Sequence, residues 1–121
     1  MMSHLTCIRL IHWNVAEAQE KVSVLESAGY EVDYEPFTPQ VLKELKNSPP
    51  TALVIDLSRL PSQGRDVAIN IRHTKATRHI PIVFVEGEPQ KLAQIKALLP
   101  DAVYTDYIRI LTALKQVSLS V

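Results

Sequence analysis

The 121 residues are 46% hydrophobic and 21% charged with only 3 Gly, a balance that excludes a disordered or fibrous chain and sets the expectation of one folded domain over residues 1–121. Thirteen Lys and Arg offset thirteen Asp and Glu, so no net field draws the chain to nucleic acid or to an anionic membrane. No stretch nears the roughly 18 apolar residues of a membrane span, the opening MMSHLTC lacks a signal-peptide pattern, and the lone Cys7 excludes an internal disulfide, so a cytoplasmic protein is expected.

Ile8 to His12 predicts a short buried strand, with Cys7 beside it as a small hydrophobe. Asn14 followed three residues later by Glu17 has the spacing of a capping box and opens a helix. Ala18, Val22, Leu25 and Ala28 recur at helical spacing, and Gly29 suits the left-handed residue that closes such a helix. Glu31 to Tyr34 reads as a second strand. Thr38 before Pro39 marks the N-cap and first position of a second helix carrying Val41, Leu42 and Leu45, which stops near Asn47 because Ser48, Pro49 and Pro50 cannot continue it. The run ALVID, Ala52 to Asp56, is apolar up to its last residue, as in a strand buried on both faces whose carboxyl tip reaches solvent. Val67, Ala68 and Ile71 mark a third helix. Pro81 then introduces a strand from Ile82 to Val85 that is again followed by an acid, Glu86. A fourth helix carries Leu92, Ile95 and Leu98, Ala102 to Thr105 forms a fifth strand ended by Asp106, and Tyr107, Leu111 and Leu114 begin the last helix.

Five strands alternating with five helices call for right-handed crossovers and a mostly parallel sheet with helices on both faces, an α/β fold. Leu10, Leu25, Leu53, Ile55, Ile82, Phe84 and Val103 are the expected core. Ligands of such sheets gather outside the carboxyl ends of the strands. That geometry singles out His12, Trp13, Asn14, Asp56, Glu86 and Asp106.

The stretch IDLSRLPSQGRDVAINIR, Ile55 to Arg72, resembles the segment around the phospho-accepting aspartate of response regulator receiver domains. ATRHIPIVFV, Ala76 to Val85, is similar to the family's approach to its fourth strand, and LESAGYEV, Leu25 to Val32, to the end of its first helix. The resemblance covers nearly the whole chain. It implies the flavodoxin-like (βα)5 receiver fold with a five-stranded parallel sheet, a role in two-component phosphorelay signal transduction, and Asp56 at the phospho-acceptor position. The departures carry as much information. His12 and Trp13 stand where receivers carry two acids that hold magnesium, and an imidazole and an indole do not replace carboxylates around a hard cation. Asn14 adds only a neutral carbonyl. Glu86 stands in place of the family's Thr or Ser, Asp106 and Tyr107 in place of its Lys and Pro, and Val103 in place of its switch aromatic. Pro61 falls one residue late, which leaves Arg59 in a remodelled loop. Phosphoryl transfer to a carboxylate relies on cations, whereas each like charge at about 6 Å and an effective dielectric of about 20 costs roughly 3 kcal/mol.

The expected function is therefore that of a stand-alone, degenerate pseudo-receiver: not an enzyme, without cofactor or metal, acting through protein–protein interaction with a kinase or effector. Two alternatives stand beside it. One is an active, unusual receiver phosphorylated on Asp56, and the other a small-ligand or metal-binding flavodoxin-like domain in which His12, Asp56, Glu86 and Asp106 hold zinc or manganese. Asp56 is otherwise expected to pair locally with Arg59 or His12. Trp13 either plugs the emptied metal pocket or presents a contact surface. RHTKATRH, Arg72 to His79, reads as a solvated loop, with contact to a phosphate or an acidic partner as the sharper reading. His4, His73 and His79 call for no functional role, and Arg109 and Lys115 with the apolar residues of the last helix fit a homodimer face.

Overall fold

The computed structural model describes residues 7–118; His4 lies outside them. Along the chain run β1 (Cys7–Ile11), α1 (Val15–Ser27), β2 (Glu31–Tyr34), α2 (Pro39–Asn47), β3 (Ala52–Asp56), α3 (Pro61–His73), β4 (Ile82–Val85), α4 (Pro89–Leu98), β5 (Val103–Thr105) and α5 (Ile110–Ser118). The strands form one parallel sheet in the order β2-β1-β3-β4-β5. This is the five-stranded α/β architecture expected from the alternation of elements. No helix among the described residues is long and apolar enough to cross a membrane.

Successive strand residues point to opposite faces, and each face has its own core. Ile11, Leu53, Ile55, Ile82 and Phe84 pack with Val41 and Leu45 of α2, Val67 and Ile71 of α3 and Ile95 of α4. On the other face Ile8, Leu10, Val54, Val83 and Val85 meet Ala18 and Leu25 of α1 and Ile110 and Leu114 of α5. Every residue of β3 and β4 is buried, which is why those two strands read as unbroken apolar runs.

Local chemistry sets the ends. Asn14 caps α1 by accepting from the Glu17 N–H at 2.9 Å, and Gly29 follows that helix at φ 98, a conformation that costs glycine little. Proline begins α2, α3 and α4, where its missing N–H has no partner to lose. Thr38 precedes α2 as expected, yet its side chain makes no capping bond.

Several expectations need correction. The first strand is Cys7–Ile11 and leaves His12 beyond its tip. Val103 is only half-buried because β5 lies at the edge of the sheet. Leu98, which α4 carries as expected, is 58% exposed, whereas Leu99 just past the helix is buried, because a strict three-residue step drifts off the face of a 3.6-residue helix. Tyr107 precedes α5 instead of opening it. Of the expected loop Arg72 to His79, the first two residues end α3; the rest is a turn held where Arg72 Nη1 donates to the carbonyls of Arg78 and Ile80 at 3.1 and 2.6 Å and the buried Thr77 hydroxyl donates to the Ile71 carbonyl at 2.8 Å. His73, Lys75, Arg78 and His79 stay exposed.

Candidate functional site

Parallel pairing brings the carboxyl tips of β1, β3, β4 and β5 to one edge, and with them His12, Asp56, Glu86 and Asp106. Asp56, the last residue of β3, is 2% exposed. A buried carboxylate requires several hydrogen-bond donors, and three connections supply them. Its Oδ1 accepts from the Ser58 N–H at 2.8 Å and from the Ser58 hydroxyl. Its Oδ2 accepts from the Tyr107 hydroxyl at 2.6 Å and faces His12 Nε2 at 3.3 Å.

His12 is 1% exposed, and its Nδ1 accepts from the Asn14 N–H at 3.1 Å. An accepting Nδ1 puts the ring hydrogen on Nε2, between Asp56 and the Glu17 Oε1 3.7 Å away. The β1–α1 connection is thus doubly defined: Asn14 caps the helix with its side chain and orients the imidazole with its main chain.

Arg59 binds Glu17 and not Asp56, its nearest acid in sequence. Its guanidinium holds the Glu17 carboxyl below its ordinary range. Glu86 and Asp106 each have a partner of their own, a backbone amide for the first and a guanidinium for the second. Glu86 Oε2 accepts from the Tyr107 N–H at 3.2 Å, while Asp106 accepts from the Arg109 N–H at 2.9 Å and from Arg109 Nη1 at 2.7 Å. Glu86 sits at φ 66 directly before Gly87 at φ 108. For a residue with a side chain that conformation is strained, and it turns the β4–α4 connection sharply across the edge. Trp13 leans away from Asp56 and packs half-buried against Phe37, with ring centroids 6.0 Å apart, on the face of α2 and α3.

Tyr107 is the site residue that sequence reasoning missed. Its position four before Leu111 and seven before Leu114 imitates a helix face, so it passes for part of α5. The available signal was a phenol directly after the acid that ends β5, where a hydroxyl reaches the neighbouring strand tips. Burial first, then the hydrogen bond to Asp56 and the charges of Asp56, Glu86 and Glu17, raise its phenol far above the ordinary 10.0. The Lys21 ammonium lies 4.5 Å from its ring centroid, a cation–π contact that ties the β5–α5 connection to α1.

Beside this network the β3–α3 and β4–α4 connections enclose a cleft of about 320 Å³ lined in part by Ser58, Arg59, Glu86, Glu88 and Lys91. Val15 at the start of α1, and Leu60 and Ile108 on the connections before α3 and α5, stand exposed around the same edge, Ile108 at 91%. Among the described residues no group of three or more His, Cys, Asp and Glu side chains is placed to hold a metal ion.

In three dimensions the chain is similar to the CheY-like response regulator receiver domain of Methylobacillus flagellatus, at 18% identity and TM-score 0.77 over 94% of this chain and 99% of that one. The chemotaxis protein CheY4 of Vibrio cholerae matches at 17% identity and TM-score 0.76, again over 94% and 99%. A sensor protein of Polaromonas sp. JS666 matches at 21% identity and TM-score 0.78 over 94% and 96%. Compared by sequence, the chain matches no family model and no curated protein. The fold is that of response regulator receiver domains, and at these identities the likeness speaks for the fold.

Proposed function

We propose that residues 1–121 form one degenerate receiver domain, a signalling module that acts through protein–protein contact, catalyses no reaction of its own and works without magnesium-dependent phosphorylation of Asp56. The observation that carries the reading is the saturation of that carboxylate: both oxygens already accept hydrogen bonds, and the residue is 2% exposed. A phosphoryl group could enter only after Ser58 or Tyr107 let go. Each hydrogen bond to a charged group is worth about 1.5–3 kcal/mol. Phosphoryl transfer also needs cations on the transferred oxygens. Imidazole and indole occupy positions 12 and 13, and the one guanidinium of the β3–α3 connection is engaged by Glu17.

The partner in this reading is a kinase or effector protein. Val15, Leu60 and Ile108 are exposed apolar side chains around the site, which such a partner would cover on docking. Incubation with acetyl phosphate and magnesium, followed by intact mass measurement, tests the proposal. No phosphoryl adduct is expected. An adduct that disappears in Asp56→Asn would establish an active receiver instead.

A further inference from the structure

Toward the other end of the sheet, beneath α2, β1 carries a charge where its neighbours Ile8, Leu10 and Ile11 are core residues. Arg9 is 8% exposed. Its Nη2 donates to Glu44 Oε1 at 2.8 Å, while its Nη1 is buried and has no hydrogen-bond partner among the described residues. A guanidinium stays charged and presents its donors in a fixed fork, so half of this fork is desolvated with nothing in return. An apolar residue would have continued the core at no such cost.

Arg9 lines a cleft of about 320 Å³ together with Asp33, Glu44, Leu45, Pro49 and Pro50. Cys7 also borders it. Burial first, and then Asp33, push the Cys7 thiol up to about 11, so at neutral pH it is uncharged and donates to Asp33 Oδ2 at 3.6 Å. One guanidinium against two carboxylates leaves a negative charge in excess, beside a positive donor that lacks an acceptor. A simple anion would meet both acids, and a simple cation would leave Nη1 unsatisfied. A ligand with an ammonium group next to a carbonyl oxygen answers both needs, and Leu45, Pro49 and Pro50 offer an apolar wall for its side chain.

We propose that this cleft binds an apolar α-amino acid residue, its ammonium on Asp33 and Glu44 and its carbonyl oxygen on Arg9. A free amino acid and the first residue of a peptide share that chemistry. The excess negative charge favours the peptide, whose first residue carries a net positive charge because its carboxyl is tied up as an amide. The site is separate from Asp56, so its fate does not depend on the reading given above.

Titration of the isotopically labelled protein with leucinamide, leucine and isovalerate, followed by amide NMR, tests the assignment. Leucinamide should produce saturable shifts at Cys7, Asp33 and Ser48, and isovalerate none. Arg9→Met and Asp33→Asn should each weaken leucinamide binding by about tenfold or more; Asp33 is exposed, so its substitution keeps the fold even if Arg9→Met does not. Tighter binding of leucine than of leucinamide would support the site and assign the free amino acid to it. Absence of saturable shifts at those residues would overturn the proposal. So would unchanged affinity in Asp33→Asn, or isovalerate bound as tightly as leucinamide.

Discussion

Asp56 keeps a carboxylate below the surface because Ser58, Tyr107 and His12 reach it from three separate connections. Asparagine at this position presents an N–H2 where an acceptor is required, so either the two donors of Ser58 or the pair of Tyr107 and His12 face an N–H2. Asp56→Asn should therefore destabilise the protein by about 1–3 kcal/mol, and Tyr107→Phe by a similar amount, in urea denaturation at neutral pH. A stabilised Asp56→Asn would show that repulsion among the edge acids outweighs the hydrogen bonds. The phenol also sets a pH dependence. A folded-state pKa raised above the unfolded value contributes stability that is whole below pH 10.0 and is lost as pH climbs past it. Tyr104 has the same sign: burial, and secondarily Asp101, push it up to about 12. Between pH 10 and 12 the melting temperature should fall, and it should fall less steeply in Tyr107→Phe.

Where α3 packs over β3 and Leu57, the approach is tight. A Cβ on Gly64 would lie 2.7 Å from Leu57 Cδ2 and 3.0 Å from Ile55 Cγ2, and both neighbours are fully buried. Replacing glycine by alanine inside a helix gains up to about 1 kcal/mol from propensity, whereas overpacking a filled core costs about 1–3 kcal/mol. The second effect should prevail, and Gly64→Ala should lower the urea midpoint. An unchanged or raised midpoint would mean that α3 can lift off the sheet at little cost.

Across the whole molecule, what the sequence disclosed depended on how locally each feature is encoded. Buried parallel strands read as apolar runs ended by an acid, so the sequence itself puts Asp56, Glu86 and Asp106 at one edge. The choice among hydrogen-bond partners is not local. Tyr107 lies 51 residues from Asp56 and Arg59 lies 42 from Glu17, and tertiary geometry alone decides that Arg59 takes Glu17 over the nearer Asp56. Half-burial of Val103 likewise follows from strand order, since an edge is defined by the sheet and not by the strand. The placement of Trp13 has a practical consequence of another kind. It is the one tryptophan in the chain, sits next to His12, and rests half-buried against Phe37. The protein thus carries an intrinsic fluorophore within one residue of its candidate site, and its emission colour and quenching report, without any label, on whatever approaches or loosens that edge.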